Sequence, residues 1–593
     1  MNKININHVR LLVSDRNYTE CKYVDINSSS HNEYIDNIQI VPYDMKLFNG
    51  DIIDLNNYNN ITSNIKNKTT VLAGVLVLKN NRSYGRTSNK KRLLYKCIPD
   101  DKHLPVFLVP YELKIGFSKC YKNKYVTFKY DYWEDEHPNG LLHETLGDVD
   151  NLEVFYEYQL YCKSLHYSMI HFTKQIRQIL NEQTNDEYID QIIKNSNYHI
   201  CDYRDKYIFT IDPKGCTDYD DGFSIDQFIE NDIQTGWKIN VYISNVFLWL
   251  ETLNLWNSFT KRVSTIYLPD RKRPMLPTIL SDTLCSLQEN ENRFALTMEI
   301  VVNNDGSINE TIPIEYKNVI IQVKNNYHYD DERMFTDEHF NNLFTISKQI
   351  SKTVKSTHEL VSFWMVFMNM RIGTILNEKQ VGIFRTAFIQ DKELRSDIDT
   401  RLNENTVRVI RSWNNAVGQY VLYKEDISLQ HEMMSIYKNK SKNENINAYI
   451  HITSPIRRLV DLLNQIQFLC KNSLVDHISH DAQEFYNRWS NELEFVNTSM
   501  RSIRKIQNEC ELLTKCINDN NILKTIHNGI VFDKLLKNDG LYYYMVYLED
   551  LKMLSRIIVT EELENYSSYK FKMFLFEDED KVQRKIRIQL LND

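Results

Sequence analysis

The chain has little of what marks a secreted, membrane-spanning or zinc-stapled protein. Its 10 cysteines are scattered without a single CxxC pair, which gives a structural zinc site little support. A disulfide framework belongs to small secreted domains, so a chain of 593 residues points to a reducing interior. The first residues, MNKININHVRLLVSD, lack a secretory h-region. The longest apolar run, VLAGVLVL from Val71 to Leu78, falls short of the roughly 20 residues that a membrane span needs. A soluble, intracellular and cytoplasmic protein without membrane association is expected. No internal repeat and no long low-complexity linker occurs. Alanine and glycine are sparse beside abundant Asn, Ile, Lys and Tyr, which reflects AT-rich coding more than function. There is no basic excess either: 71 Lys and Arg stand against 79 Asp and Glu, for a net charge of -8. That balance does not exclude nucleic acid, because only a local channel has to face phosphates. A carboxylate-rich metal site would contribute to it.

What is present is ordinary globular composition, with 42% hydrophobic and 25% charged residues, over a length that suggests several domains. Residues 1 to about 170 read as β-rich. IDNIQIVPYD, GDIIDL, TTVLAGVLVLKN, RLLYKCIPDD, PVFLVPYEL and KYVTFKYDYW are short strand-like runs separated by Asn, Gly, Pro and Asp. Such spacing suits small antiparallel barrels. From Asn151 to about Ser196 the pattern is helical. The centre mixes strands with long helices such as HELVSFWMVFMNMRIGTILNEK and QEFYNRWSNELEFVNTSMRSIRKIQNECELLTKCI. From about Asn521 the chain returns to strands: GIVFDKLL, GLYYYMVYLED, SRIIVT and RKIRIQLL.

The most informative stretch is YIFTIDPKGCTDYDDGFSI, Tyr207 to Ile225. It holds four carboxylates: Asp212, Asp218, Asp220 and Asp221. YIFTI should be a strand that ends at Asp212, where Pro213 stops the ladder. In an extended segment alternate side chains share a face, so Asp218 and Asp220 converge while Asp221 points elsewhere, toward a second ion. Close carboxylates repel without a cation, and hard oxygen ligands suit Mg²⁺ or Mn²⁺. Two ions about 4 Å apart would activate a water and stabilise the leaving oxygen of a phosphodiester. A bare Asp-x-Asp-Asp run is more often a solvated surface. A calcium loop of EF-hand type fails: with Gly222 at its sixth position, the first, third and twelfth would be Thr217, Tyr219 and Phe228.

The company the motif keeps decides against the bland reading. After the IDP strand and the acidic run come VYISNVFLW and STIYLPDRKRPMLPTILSDTLCSLQENENRFALTMEI (Ser264 to Ile300), and later AYIHITSPIRRLVDLLNQ (Ala448 to Gln465). These three stretches, in this order, resemble the signatures of the RNB (ribonuclease II/R) family. EHPNGLLHETLGDVDNLEVFYEYQL resembles the junction between a cold-shock barrel and the catalytic domain. The likeness spans nearly the whole chain, sharp from about 200 to 470 and diffuse at the ends. It is to the eukaryotic-like branch, with too few residues before about 30 for an N-terminal endonuclease domain.

The resemblance implies a multidomain fold: an α/β RNB catalytic domain flanked by small all-β OB-fold barrels, cold-shock type before it and an OB-type RNA-binding barrel after it. The expected divisions are 1–80, 81–170, 171–520 and 521–593. It implies a hydrolytic 3′-to-5′ exoribonuclease that degrades single-stranded RNA to nucleoside 5′-monophosphates by a two-metal-ion mechanism, working as a monomer with no evident protein partner. Asp212, Asp218, Asp220 and Asp221 would hold Mg²⁺ (Mn²⁺ being the alternative), with Asp220 the most damaging to lose. Arg457 of SPIRR matches the family's catalytic arginine, whose guanidinium stabilises charge developing on the phosphate. Tyr267 of IYLPD matches an aromatic that stacks near the 3′-terminal nucleotide, a contact worth about 1–3 kcal/mol per base. Arg271 and Arg273 flank that loop, and Arg271 is the candidate phosphate contact. Departures from the family pattern are Gly222 where Ala is common, Asn245 where an acid is usual, Gln465-Ile466 in place of His-Arg, and Gln507 near a bacterial Glu. The rival expectations are a catalytically dead RNA-binding protein on the same fold and, more remotely, a phosphorolytic nuclease.

Overall fold

The computed structural model describes residues 8–26, 34–35, 38, 40–87, 91–113, 121–230, 232–386, 402–425, 448–537 and 539–591. It divides into two compact units, one of Met1–His166, Leu268–Asp270 and Lys505–Asp593, the other of Tyr167–Tyr267 and Arg271–Arg504.

In the first unit, strands His8–Val13, Cys21–Asp25, Ile52–Asp54 and Asn57–Thr62 form a sheet with His8–Val13 inside it. His8–Val13 alternates exposed and buried residues, so Val9, Leu11 and Val13 share a small core with Tyr23, Leu47 and Ile53. Strands Leu72–Leu76, Leu93–Pro99, Phe107–Tyr111, Lys124–Tyr132 and Asn139–Asp148 close a barrel. The expected division at 80/81 is therefore corrected. Leu72–Leu76 pairs with Leu93–Pro99 and Lys124–Tyr132, because Val75 and Leu76 bury against these strands. At Gly74 a Cβ would meet the Ile98 carbonyl oxygen at 2.7 Å, so the strands close only over a bare backbone. IDNIQIVPYD is corrected as well: its described part turns rather than extends, with Leu47 N–H donating to Pro42 O at 2.9 Å. Asp36, Asn37 and Gln39 lie outside the described residues. The C-terminal strands Ile526–Leu536, Tyr542–Leu548, Met553–Val559, Ser568–Glu577 and Arg584–Leu590 form a five-stranded antiparallel sheet. Its outer strands, Met553–Val559 and Arg584–Leu590, lie close together. Val531, Tyr544, Val546, Phe571 and Met573 fill its core.

The second unit is built on another closed barrel, of Ile200–Asp212, Asp221–Glu230, Ile233–Ser244, Asn292–Asn303 and Glu315–His328. Neighbours run antiparallel except at the closure, where Ile200–Asp212 lies parallel to Glu315–His328. The strands are almost wholly buried near the site: VYIS of Ile233–Ser244 and FALTMEI of Asn292–Asn303 present no exposed residue. Helices Ile170–Leu180, Asn185–Lys194, Val246–Thr252, Glu338–Ile350, Thr357–Glu378, Leu459–Lys471 and His480–Asn491 are among those described in this unit. By length and composition Thr357–Glu378 would cross a membrane, but 67% of its apolar window is buried inside the fold. It is a core helix, and Ser356 caps it through Glu359 N–H. The nine described cysteines are free; Cys120 lies outside the described residues.

At Gly236 an added Cβ would sit 2.3 Å from the Val302 carbonyl oxygen, and a backbone atom in a ladder cannot step aside. Gly236→Ala should therefore cost about 1–3 kcal/mol, read as a lower urea midpoint. An unchanged midpoint would contradict the pairing of Ile233–Ser244 with Asn292–Asn303.

Candidate active site

The acidic run leaves one barrel strand and enters the next. Ile200–Asp212 ends at Asp212, whose carbonyl accepts from Tyr329 N–H at 3.1 Å. The loop that follows is pinned from below. Tyr219 N–H donates to Ser286 Oγ at 3.0 Å, Ser286 Oγ donates to Thr217 O at 2.8 Å, and Leu287 N–H donates to Tyr219 O at 3.0 Å. Ser244 N–H reaches Asp220 O at 2.8 Å, and Asp221 then opens the next strand opposite Ile243. Backbone pairing thus holds the carboxylates in place.

The arginine arrives on a separate segment. Ser454 N–H and Arg458 Nη2 both donate to Asp461 Oδ1, at 2.8 and 2.7 Å, and Asp461 is fully buried. This folds the SPIRR turn at the start of helix Leu459–Lys471. The Arg457 carbonyl accepts from Thr265 N–H and Ser264 Oγ, both at 2.9 Å, which ties the turn to the segment leading to Tyr267. Ile456 N–H then donates to Asp220 Oδ1 at 3.0 Å, and Arg457 Nε lies 3.0 Å from Asp220 Oδ2. That ion pair is not aligned as a hydrogen bond. Arg457 keeps 45% of its side-chain surface exposed while Asp220 keeps 2%, so one end of the pair is dry and the other faces solvent.

The electrostatics follow from burial. Burial pushes Asp220 up to about 8, against the opposing pull of Arg457 and the Ile456 N–H. Burial raises Asp221 to about 6, with Arg457 and Arg458 opposing. Asp212 is held well above the carboxylate range by burial and by the charge of Asp221. Asp221 is close enough to Asp212 for its charge to raise it, and both lie within reach of the charge on Arg457. Burial opposes the charge on Arg457, but Asp220, Tyr267, Asp221 and Asp212 outweigh it and hold the guanidinium charged.

Asp212, Asp220 and Asp221 each have a buried Oδ2 that accepts no hydrogen bond. Buried anionic oxygens without donors are costly, and a divalent cation with a preference for hard oxygen would satisfy them. The donor set is of the hard-oxygen kind that suits a divalent cation. Among the described residues, the three-residue group whose ligand atoms all lie within 4.8 Å of one another is His480, Asp481 and Glu484, at the start of helix His480–Asn491. The aspartates are spread more widely than such a cage, with Arg457 drawn in against Asp220.

Tyr267 is 43% exposed, and its hydroxyl lies 3.4 Å from Asp218 Oδ2. Arg271 is exposed at the edge of the same hairpin, while Arg273 is buried and donates to the Arg271 carbonyl at 2.8 Å. Sequence reasoning missed Lys272 between them. Its ammonium reaches Asp218 Oδ1 at 2.8 Å and Asp282 Oδ1 at 3.0 Å. Burial lowers its pKa, but these two acids outweigh burial and raise it. Cys216 was missed too: its thiol lies 3.9 Å from Asp212 Oδ1 and 3.8 Å from Asp218 Oδ1. Of the departures, Asn245 caps helix Val246–Thr252 and donates to Asn318 Oδ1 at 2.9 Å. Gln465 bridges Ser244 O at 2.9 Å and Phe247 N–H at 3.2 Å. Both are buried and support the end of strand Ile233–Ser244 and the helix after it. At Gly222 a Cβ would lie 3.3 Å from Phe209 O, so the common Ala needs only a small adjustment.

Residues 200–352, which hold the acids, the hairpin and the barrel, match the family model of the RNB domain. The chain carries an RNB domain. Exoribonuclease 2 of Psychromonas ingrahamii is 27% identical over 322 residues, 43% of this chain and 48% of that protein. Exosome complex exonuclease RRP44 of Mus musculus is 21% identical over 332 residues, 55% of this chain and 31% of that protein. The chain thus spans about half the length, or less, of these curated relatives. Among solved structures, Mycoplasma genitalium RNase R in complex with ribose methylated single-stranded RNA superposes with a TM-score of 0.62 at 17% identity, over 99% of this chain and 97% of that one. Yeast Ssd1, described as a pseudonuclease, superposes with a TM-score of 0.54 at 12% identity, over 94% and 80%. These likenesses show the RNase R-like multidomain fold. The match to the RNB domain ends before Arg457, which the fold brings to it.

Raised carboxyl values make the ion-free folded RNB domain bind more protons than the unfolded chain. The contribution of these two carboxyls to stability is then fully present below about pH 4 and is lost as pH rises through 6 and 8. With chelator present, Asp220→Asn should flatten the fall in melting temperature between pH 6 and 8. A variant with the wild-type slope would contradict the buried state of Asp220.

Proposed function

We propose that this chain hydrolyses single-stranded RNA from its 3′ end and releases nucleoside 5′-monophosphates, with Mg²⁺ or Mn²⁺ on the aspartate cluster. The observation that carries the reading is Arg457: a half-exposed guanidinium 3.0 Å from a buried carboxylate, among further carboxylates with unpaired oxygens. The RNB domain and relatives named as exoribonucleases support the same class.

When bound, the cation supplies Lewis-acid polarisation of the phosphate and a water of lowered pKa. Asp220 orients Arg457 through the ion pair and receives the Ile456 N–H, so the guanidinium is fixed before substrate arrives. Arg457 then faces the terminal phosphate and stabilises the charge that grows on its oxygens, while the 3′-oxygen of the preceding nucleotide leaves with a proton from solvent. Tyr267 offers its open ring face to the terminal base, a contact indifferent to sequence. Arg271 meets a backbone phosphate at the edge of the hairpin. Contacts to the 2′-hydroxyl give preference over DNA.

Purified protein with a 3′-tailed single-stranded RNA and Mg²⁺ in phosphate-free buffer should yield 5′-monophosphates. Asp220→Asn should abolish cleavage with RNA affinity retained. Arg457→Lys should lower kcat by about 10²–10³. RNA binding without mononucleotide release at any divalent metal would instead establish an inactive binder on this fold, and a requirement for inorganic phosphate would establish phosphorolysis.

A further inference from the structure

The C-terminal sheet turns a row of rings and cations to solvent. Strand Ser568–Glu577 buries Phe571 and Met573 in its core, so the alternate residues Lys570, Lys572, Phe574 and Phe576 point outward. Strand Arg584–Leu590 buries Ile588 and presents Lys585, Arg587 and Gln589 on the same side. Register sets Arg587 opposite Phe574 and Lys585 opposite Phe576, so each ring faces a cation across the pair. Phe574 is 43% exposed and Phe576 37%. Two large rings bared side by side mark a binding surface rather than a stray exposure. The Arg587 guanidinium lies 4.1 Å from the centre of the Phe576 ring, Lys585 Nζ lies 5.8 Å from it, and Lys572 Nζ lies 5.6 Å from that of Phe574.

The charge on this face is one-sided. Lys570, Lys572, Lys585 and Arg587 share it with no acid at the outward positions between them. Glu577, at the end of its strand, is engaged by Arg584 Nε. Burial lowers the pKa of Lys585, and the charges of Arg587, Lys505 and Lys163 lower it further against the pull of Glu509. Like charges gathered in this way repel, and a polyanion relieves the repulsion. An acidic peptide would satisfy the cations and leave the rings idle. A single-stranded nucleic acid supplies both a phosphate and a flat base at every step.

OB barrels ordinarily bind on their second and third strands, which here are Tyr542–Leu548 and Met553–Val559. Tyr544, Val546 and Leu548 fill the core. Met545 and Tyr547 therefore point the other way, and both are buried, so no base can stack on them. The open aromatic face has moved to the fourth and fifth strands.

We propose that the outer face of Ser568–Glu577 and Arg584–Leu590 is a site for single-stranded nucleic acid, with bases stacked on Phe574 and Phe576 and phosphates on Lys572, Lys585 and Arg587. It goes beyond the cleavage reaction and does not depend on it. Its contacts are to ring faces and phosphates, so it accepts any sequence and holds RNA whether or not the strand is cut.

The test uses the full chain in EDTA with a fluorescent, thiouridine-bearing RNA of about 15 nucleotides. Anisotropy gives the affinity, and mass spectrometry maps the photo-crosslinks. Crosslinks should fall on Phe574 or Phe576, and Phe574→Ala/Phe576→Ala should weaken binding about tenfold or more. Lys572→Gln and Arg587→Gln should each reduce the slope of log affinity against log salt by about 0.7. Unchanged affinity in the double phenylalanine variant, with RNA displaced equally well by polyglutamate, would assign the face to an acidic protein and overturn the proposal. Release of 5′-monophosphates in Mg²⁺ without a crosslink on these strands overturns this site and leaves the cleavage reading standing; crosslinks without release do the reverse. Should the double variant fail to fold, the crosslink map and the two glutamine variants decide alone.

Discussion

One carboxylate joins the two halves of the site. Asp220 leaves the barrel loop and receives the Ile456 N–H and the Arg457 guanidinium from a turn 236 residues further on. Removing one partner of such a buried pair costs about 3–5 kcal/mol, because the other charge is stranded. The pair is therefore both a structural clasp and the means by which an arginine is aimed. It does not neutralise its surroundings. Arg457 is shared among Asp212, Asp220 and Asp221, and the buried Oδ2 atoms of Asp212 and Asp221 still accept no hydrogen bond. The fold sustains a deficit of positive charge at a site that keeps one open cationic side chain.

The barrel explains why that deficit is tolerated. Its strands are joined by backbone ladders that do not depend on the acids, and the loop between Asp212 and Asp221 is held by Ser286, Leu287 and Ser244 through hydrogen bonds to its backbone. The carboxylates are thus free of structural duty apart from Asp220 and Asp218, each held by a cation. Asn245 and Gln465, at places where the family pattern differs, hold the end of Ile233–Ser244. Their amides satisfy both donors and acceptors there without adding charge next to the acids.

Much of this was legible in the residues. YIFTI followed by Asp-Pro marks a strand and its end, and YLPDR and SPIRR mark the segments that meet it. The β-rich residues 1 to about 170 and the helical spacing of HELVSFWMVFMNMRIGTILNEK were read from the sequence; the closure of the barrel that carries the acids was not. What escaped did so for physical reasons. HVRLLV alternates as a half-buried strand should, but it is short and follows a polar start. VLAGVLVL names no partner, so nothing in it says which barrel it closes. Lys272 lies in an Arg-Lys-Arg run that reads as solvated charge, and its partners Asp218 and Asp282 are set by tertiary approach, 54 residues back and 10 ahead.

The central claim is that these aspartates and Arg457 form one cation site. Anomalous diffraction from crystals grown with Mn²⁺ tests it most directly. The account predicts a peak among Asp212, Asp220 and Asp221. A map with Mn²⁺ at His480, Asp481 and Glu484 but nothing among the aspartates would contradict it.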